Sequence, residues 1–165
     1  MSSIHVKRLS LKSGRVGLIA DTHGLLRPEA LAALKGSDLI IHAGDIGKPE
    51  VLMALNTIAP VAAIRGNNDR YPAARKLPDV LNLQINGVKV RVIHNVKEIE
   101  SDLRADGYAL VVSGHSHKPG VTKENGVLFI NPGSAGPRRF KLPVTVARLS
   151  LGSKSLDARI IELKV

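Results

Sequence analysis

The sequence predicts an α/β fold of two packed mixed β-sheets with helices on their outer faces. Two observations lead there. From Arg15 to Asp69, apolar runs of strand length alternate with helical segments, which implies right-handed crossovers and a largely parallel sheet. From Leu81 onward, Asn86-Gly87 and Asn125-Gly126 join short strands into hairpins, and two alternating strands close the chain. A parallel first half and a hairpin-rich second half fit two mixed sheets better than one doubly wound sheet.

Residues 1–14 are a polar, basic lead-in where Ile4, Val6, Leu9 and Leu11 suit an extension or a short edge strand. Arg15–Ala20 is an apolar strand that exits into Asp21-Thr22-His23-Gly24. An aspartate in that place can cap a helix, but the helical run Pro28–Leu34 starts several residues later, so capping does not account for Asp21. Leu39–Ala43 is the next strand and exits into Gly44-Asp45; after a helix over Pro49–Asn56, strand Val61–Ile64 exits into Gly66-Asn67-Asn68-Asp69. Residues 70–80, with Pro72 and Pro78, read as a loop. Leu81–Ile85 and Val88–Ile93 make a hairpin that ends in His94-Asn95, and an amphipathic helix spans Lys97–Ala105. Strand Ala109–Val112 opens onto Gly114-His115-Ser116-His117, and Pro119–Lys123 pairs with Val127–Ile130. Asn131-Pro132-Gly133-Ser134 and Pro137-Arg138 follow, then strands Val144–Leu151 and Ser155–Leu163. No repeat, linker or low-complexity stretch interrupts the 165 residues, which read as a single domain, 1–165.

Composition narrows the function classes. With 44% hydrophobic and 23% charged residues the chain is an ordinary globular one, not a disordered one. Aromatics at 2% argue against extended single-strand nucleic-acid binding, which needs stacking platforms. The absence of cysteine excludes disulfides, thiolate metal sites and zinc fingers, so any metal must be held by histidine, carboxylate and amide groups. The net charge of +10 is spread along the chain rather than blocked, and reads either as a soluble basic surface or as a field that attracts anionic substrates. No run reaches transmembrane length and the N-terminus lacks an apolar signal core, so the expected location is cytoplasmic.

Three successive strands end in glycine with Asp, Asn or His at the exit. In parallel sheets the carboxyl ends of neighbouring strands line one crevice, so these residues should converge there. The candidate metal ligands are Asp21, His23, Asp45, Asn67, His94, His115 and His117. A mixed oxygen and nitrogen set of this size exceeds what one tetrahedral ion needs and suits two adjacent divalent ions, with Asp45 able to bridge them. Two such ions bring more positive charge than Asp21, Asp45 and a hydroxide neutralise, which favours an anionic substrate such as a phosphate ester. His42, inside a strand, reads as a packed histidine behind the ligands, His5 as a surface residue, and Asp69 as a brace for the Asn67 loop. Arg138 reads as a contact to substrate phosphate or as a solvated basic turn.

Asp21-Thr22-His23, Gly44-Asp45, Gly66-Asn67-Asn68-Asp69, His94 and Gly114-His115-Ser116-His117 resemble the ordered motifs of the calcineurin-like metallophosphoesterases. The resemblance is closest to their small, single-domain bacterial and archaeal phosphodiesterases, whose tail motif is similar to Asn131-Pro132-Gly133-Ser134 with Pro137-Arg138. It covers the chain from Arg15 onward. It implies a four-layer α-β-β-α sandwich and hydrolysis of phosphodiesters by a hydroxide activated at two divalent ions, manganese first, with zinc, iron, nickel or magnesium as alternatives. It further implies that Asp21, His23, Asp45 and His117 hold one ion and Asp45, Asn67, His94 and His115 the other. Asn68 stands where larger relatives place a catalytic, substrate-contacting histidine, and His94-Asn95-Val96 stands where close relatives read His-Gly-His. The expected partner is a small phosphate-ester substrate, with nucleic acid only as substrate, no membrane, and self-association into a homo-oligomer open. The alternative is a non-catalytic scaffold of the same fold, as in the eukaryotic retromer, where the metal site is degenerate.

Overall fold

The computed structural model describes residues 5–152 and 155–165, so Ile4 of the lead-in lies outside the described residues. Strands β1 (Lys7–Leu9), β5 (Val80–Ile85), β6 (Val88–Ile93), β7 (Tyr108–Val112), β8 (Gly120–Glu124) and β9 (Val127–Asn131) form a six-stranded sheet in the order β1-β5-β6-β7-β9-β8. Strands β2 (Arg15–Ile19), β3 (Leu39–His42), β4 (Val61–Ala63), β10 (Thr145–Leu151) and β11 (Leu156–Glu162) form a five-stranded sheet in the order β11-β10-β2-β3-β4. Both sheets are mixed. β2, β3 and β4 run parallel while β10 is antiparallel to β2, and the hairpins β5–β6 and β8–β9 flank the parallel β6-β7-β9 core of the other sheet.

Period-two alternation places the core. Val16, Leu18, Leu39 and Ile41 of one sheet face Leu83, Ile85, Val90, Val92, Leu110 and Val112 of the other, all buried in one apolar cluster. The opposite set, Ile19, Ile40 and Val146, meets the helices α1 (Pro28–Leu34) and α2 (Pro49–Leu55) through Ala30, Leu34, Val51 and Leu55. Each helix begins with a Pro-Glu pair: proline supplies the preset φ of the first turn, and the glutamate answers the helix dipole. Gly17 lets α1 approach, since a Cβ there would come 2.8 Å from Leu34 Cδ2. Among the described residues no helix is long and apolar enough to cross a membrane.

The sequence expectation fails at one element. No α-helix forms over 97–105; the segment is a short 3-10 turn, Val96–Glu98, followed by bends and turns. Asn95 Oδ1 accepts from the Lys97 N–H at 3.1 Å and Asp102 Oδ1 from the Ala105 N–H at 3.2 Å, so side chains take the amides that a helix would use. Ile99 and Leu103 still bury against Ile93, Tyr108 and Val111, so the apolar spacing reported burial correctly and helicity wrongly. A second 3-10 turn, Pro72–Lys76, lies within the predicted loop at 70–80.

Candidate metal centre

The parallel strands of both sheets present their carboxyl ends at one edge. The loop after β2 is zipped to the loop after β3 by Asp21 N–H to Gly44 C=O (3.0 Å), His23 N–H to Asp45 C=O (3.0 Å) and Gly24 N–H to Ile46 C=O (2.8 Å). The loop after β7 joins them, with the His115 N–H donating to Asp21 Oδ2 at 3.0 Å. Five of the seven predicted ligands sit in the left-handed backbone region: Asp21 (φ +54°), His23 (+46°), Asp45 (+55°), His115 (+72°) and His117 (+62°). Residues other than glycine adopt this conformation at a cost, and such outliers cluster where function demands a particular side-chain direction.

Those directions converge. Asp21 Oδ1 lies 4.0 Å from His23 Nε2, 3.9 Å from His94 Nε2 and 3.6 Å from His117 Nε2. Asp45 Oδ2 lies 3.8 Å from His23 Nε2 and 3.3 Å from His94 Nε2. Two groups have metal-binding spacing, Asp21-His23-His117 and Asp21-Asp45-His94, so Asp21 belongs to both while Asp45 reaches a histidine of each. The imidazoles pair accordingly: His23 with His117 at 5.4 Å between centroids, and His94 with His115 at 5.2 Å. Asn67 and His115 are exposed at the rim and line a cleft of about 580 Å³ with His94, Arg65, Asp79 and Glu98.

Asp21 Oδ1, His23 Nε2 and His94 Nε2 are buried without a hydrogen-bond partner, and so is His117 Nδ1, whose ring partner Nε2 is the atom 3.6 Å from Asp21. Buried polar atoms are ordinarily paired, and carboxylate oxygens and imidazole nitrogens aimed at one another share one suitable partner, a cation. His94 Nδ1 donates to the Ala43 carbonyl at 2.7 Å, which leaves Nε2 with a free electron pair toward Asp21 and Asp45. The residues fit divalent ions.

Electrostatics agree. Burial, against the opposing pull of His94, pushes the Asp21 carboxyl up to about 7. Burial also pushes His117 down to about 4, with the Arg139 charge adding to the effect. For Asp45, burial acts upward but is overcome by His94 and the Asn68 donors, which hold the carboxyl below the usual range. His94 moves up, since Asp45 and the Ala43 carbonyl outweigh its burial.

Supporting groups lie behind the ligands. His42 is fully buried and neutral, because burial lowers it to about 3. Its Nδ1 accepts from the Gly44 N–H at 3.2 Å, so Nε2 carries the proton and donates to Thr22 Oγ1 at 3.0 Å. Thr22 passes its own proton to the Ile46 carbonyl at 2.8 Å. One histidine thus ties both ligand loops together. His42→Ala is expected to cost about 2–4 kcal/mol, from a cavity plus the unpaired Gly44 N–H and the lost partner of Thr22 Oγ1, read as a lowered denaturation midpoint. Asp69 braces in the same way, accepting from the Gly47 N–H at 2.9 Å and the Gly66 N–H at 2.8 Å.

Three placements add contacts that the sequence did not specify. Asn68, exposed at the rim, is tied to Asp45: its N–H donates to Asp45 Oδ1 at 2.9 Å and its Nδ2 to Asp45 Oδ2 at 3.1 Å. The Arg138 guanidinium turns to the Val165 main-chain oxygen at 3.3 Å, whereas the charge of the neighbouring Arg139 bears on Asp21 and His117. Asn131 Nδ2 holds the Gly114 carbonyl at 3.0 Å and Ser116 Oγ at 3.1 Å, and Ser134 Oγ donates to the Asp21 carbonyl at 3.0 Å. The tail motif is therefore a brace for the ligand loops, a role visible in sequence only as a motif.

The family model for the calcineurin-like phosphoesterase superfamily domain matches residues 15–154. A probable metallophosphoesterase of Methanothermobacter thermautotrophicus is 35% identical over 158 residues, covering 88% of this chain and 91% of that protein. Among solved structures, an archaeal phosphodiesterase superposes with a TM-score of 0.75 at 23% identity, over 89% of this chain and 99% of that one. The zinc complex of Vps29 from Entamoeba histolytica superposes with a TM-score of 0.70 at 20% identity, over 90% and 98%.

Proposed function

The chain belongs to the calcineurin-like phosphoesterase superfamily, and from that premise we propose that it hydrolyses phosphodiesters at a centre of two divalent ions. The observation that carries this is the set of buried, unpaired ligand atoms on Asp21, His23, His94 and His117 at the shared carboxyl edge of two sheets. Asp21, His23 and His117 would hold one ion and Asp45 and His94 the other, with Asp21 and Asp45 between the two and Asn67 and His115 at the cleft side. Divalent ions held there supply Lewis acidity toward phosphoryl oxygens and a nucleophile at neutral pH. Manganese is the first ion to try. All seven ligand positions are filled, which a pure scaffold would not need, and this disfavours that alternative.

The test is reconstitution of metal-free protein with single divalent ions, followed by assay against phosphate mono- and diesters. Diester hydrolysis that requires the ion is expected. An intact fold that takes up no ion sinks the reading. Loading should also raise the melting temperature, and more so at pH 8 than at pH 5. The folded-state pKa of Asp21 lies above its ordinary value, so without metal its ionisation withdraws stability as pH rises toward 7, and a bound cation removes that penalty.

Leaving-group dependence follows from Asn68. A carboxamide does not titrate, the imidazoles of the centre would be taken up as ligands, and His42 is buried behind them, so the position of Asn68 supplies no proton to a departing alkoxide. A positioned acid is worth about 10²- to 10⁴-fold. Nitrophenyl diesters should therefore turn over faster than alkyl diesters by about that margin, and Asn68→His should narrow the gap. Rates indifferent to leaving-group pKa, with chemistry limiting, would contradict this.

A further inference from the structure

Away from the metal centre, the outer face of the five-stranded sheet carries an arrangement of charge that folding does not favour. Arg148 of β10 stands directly opposite Arg159 of β11, and Ser150 of β10 lies between Arg15 of β2 and Asp157 of β11. Period two puts all of these on the helix side of the sheet, since their neighbours Val16, Leu149 and Ala158 turn into the core between the sheets. Like charges directly opposite one another across antiparallel strands are destabilising. Four cations, Arg15, Lys35, Arg148 and Arg159, line one concavity of about 170 Å³ there, with Asp157 as its single carboxylate. No ion pair among the described residues involves any of the four.

One of these cations is already fixed in place. Arg148 Nε donates to the Ala33 carbonyl at 2.6 Å and Nη2 to the Lys35 carbonyl at 3.0 Å, so the guanidinium closes the C-terminal end of α1. Two carbonyls that would repel an anion are thereby occupied, and Nη1 stays without a partner among the described residues. Gly36, at φ +86°, takes the chain past that helix end, and Arg15 Nη1 lies 3.9 Å from where a Cβ on Gly36 would stand. The Arg15, Lys35 and Arg159 side chains make no hydrogen bond to the described residues, so their donors are available to a ligand.

Guanidinium groups gathered in a concavity, one of them held rigid, match a phosphate in charge and in fork geometry. The volume falls below the roughly 300–1,000 Å³ that houses a whole small molecule, so it suits the phosphate end of a ligand whose remainder stays outside. A duplex backbone would need a longer stripe of cations than one concavity supplies. Arg15 opens β2 and Asp21 follows its end, so the concavity and the metal centre lie at opposite ends of one strand. We propose that Arg15, Lys35, Arg148 and Arg159 form a second anion site, which takes the terminal phosphate or diphosphate of a small molecule apart from any reaction at the metal centre. The site does not depend on the phosphodiesterase reading.

The experiment titrates the full-length chain, stripped of divalent ions so that the centre cannot take the anion, with diphosphate in about 0.15 M sodium chloride, and follows backbone amides by NMR. Saturable shifts of the Gly36, Ser37, Ser150 and Arg159 amides are expected, with those of Gly66 and His115 unmoved. Arg159→Gln removes one guanidinium and the like-charge pair together. It should weaken diphosphate binding by about 10- to 100-fold, the worth of a charged hydrogen bond, while its melting temperature without diphosphate holds or rises. Arg15→Gln should weaken binding likewise, and Lys76→Gln, an equal charge removed beyond the opposite edge of the sheet, by less than about 2-fold. Shifts that grow without saturation over the basic surface at large overturn the proposal, and so does an Arg159→Gln variant that binds diphosphate as the unaltered chain does. A duplex oligonucleotide that displaces diphosphate at equal phosphate concentration also overturns it, since the occupant would then be a nucleic-acid backbone.

Discussion

Asp45→Asn is expected to lower kcat/KM of the metal-loaded protein by at least about 10²-fold, with little change in fold. Loss of a group that merely orients a ligand costs about 10- to 100-fold, and Asp45 is placed closer than that. Its Oδ2 stands within 3.8 Å of His23 Nε2 and 3.3 Å of His94 Nε2. The substitution removes an anion and turns one of these oxygens into a donor. The Asn68 carboxamide can rotate to accept where it now donates, and the Asn68 N–H keeps its partner if the remaining oxygen takes the Oδ1 place. The structural cost is then about one hydrogen bond, roughly 1 kcal/mol. Circular dichroism and melting should stay near those of the unaltered protein while metal affinity and turnover collapse. Activity within a few-fold of normal would show that Asp45 is not at the reacting centre.

Gly47→Ala should be severely destabilising. Gly47 has φ +95°, and a Cβ there would lie closer than 3.0 Å to the main-chain atoms of His23 and Gly24. No flexible side chain can yield; the loop carrying His23 would have to move. That loop is held by the Ile46 carbonyl on one side and by Gly136 on the other. Strain and steric overlap together should exceed about 4 kcal/mol, a large part of a typical domain's 5–15 kcal/mol. The expected result is little soluble protein, or a denaturation midpoint far below normal. A variant with ordinary stability would mean that the 21–24 loop is free to shift.

Much of this was legible in the chain. Apolar runs of strand length, followed at once or after a glycine by Asp21, Asp45, Asn67, His94 and His115, located the strand exits, because a buried parallel strand must be apolar and its exit need not be. What stayed hidden has physical causes. The spacing of Ile99 and Leu103 is the same whether the backbone between them is helical or turned, and local bonds from Asn95 and Asp102 decided for turns. Arg138 and Arg139 are adjacent and alike in composition, so the sequence does not say which guanidinium reaches the Val165 main-chain oxygen; it is that of Arg138. Left-handed φ at aspartate and histidine leaves no mark in sequence, since glycine is the residue that announces it. The contact of Asn68 with Asp45 joins residues 23 positions apart and depends on how two loops meet.

The left-handed ligand residues bear finally on the order in which the protein matures. In a zinc finger the ion and the fold arrive together, because the unfolded peptide has no other source of stability. Here a continuous apolar cluster between the two sheets lies outside the centre, and the backbone at Asp21, His23, Asp45, His115 and His117 is left-handed within the fold itself. If the proposed centre holds ions, the polypeptide would reach its native shape first and acquire them afterwards, as a finished cage. Little chain entropy remains to be lost at capture, so the slow step becomes the shedding of water by the incoming ion. Which ion is captured then follows from supply around the newly made protein as much as from donor chemistry, since intrinsic affinities order the divalent metals without regard to need.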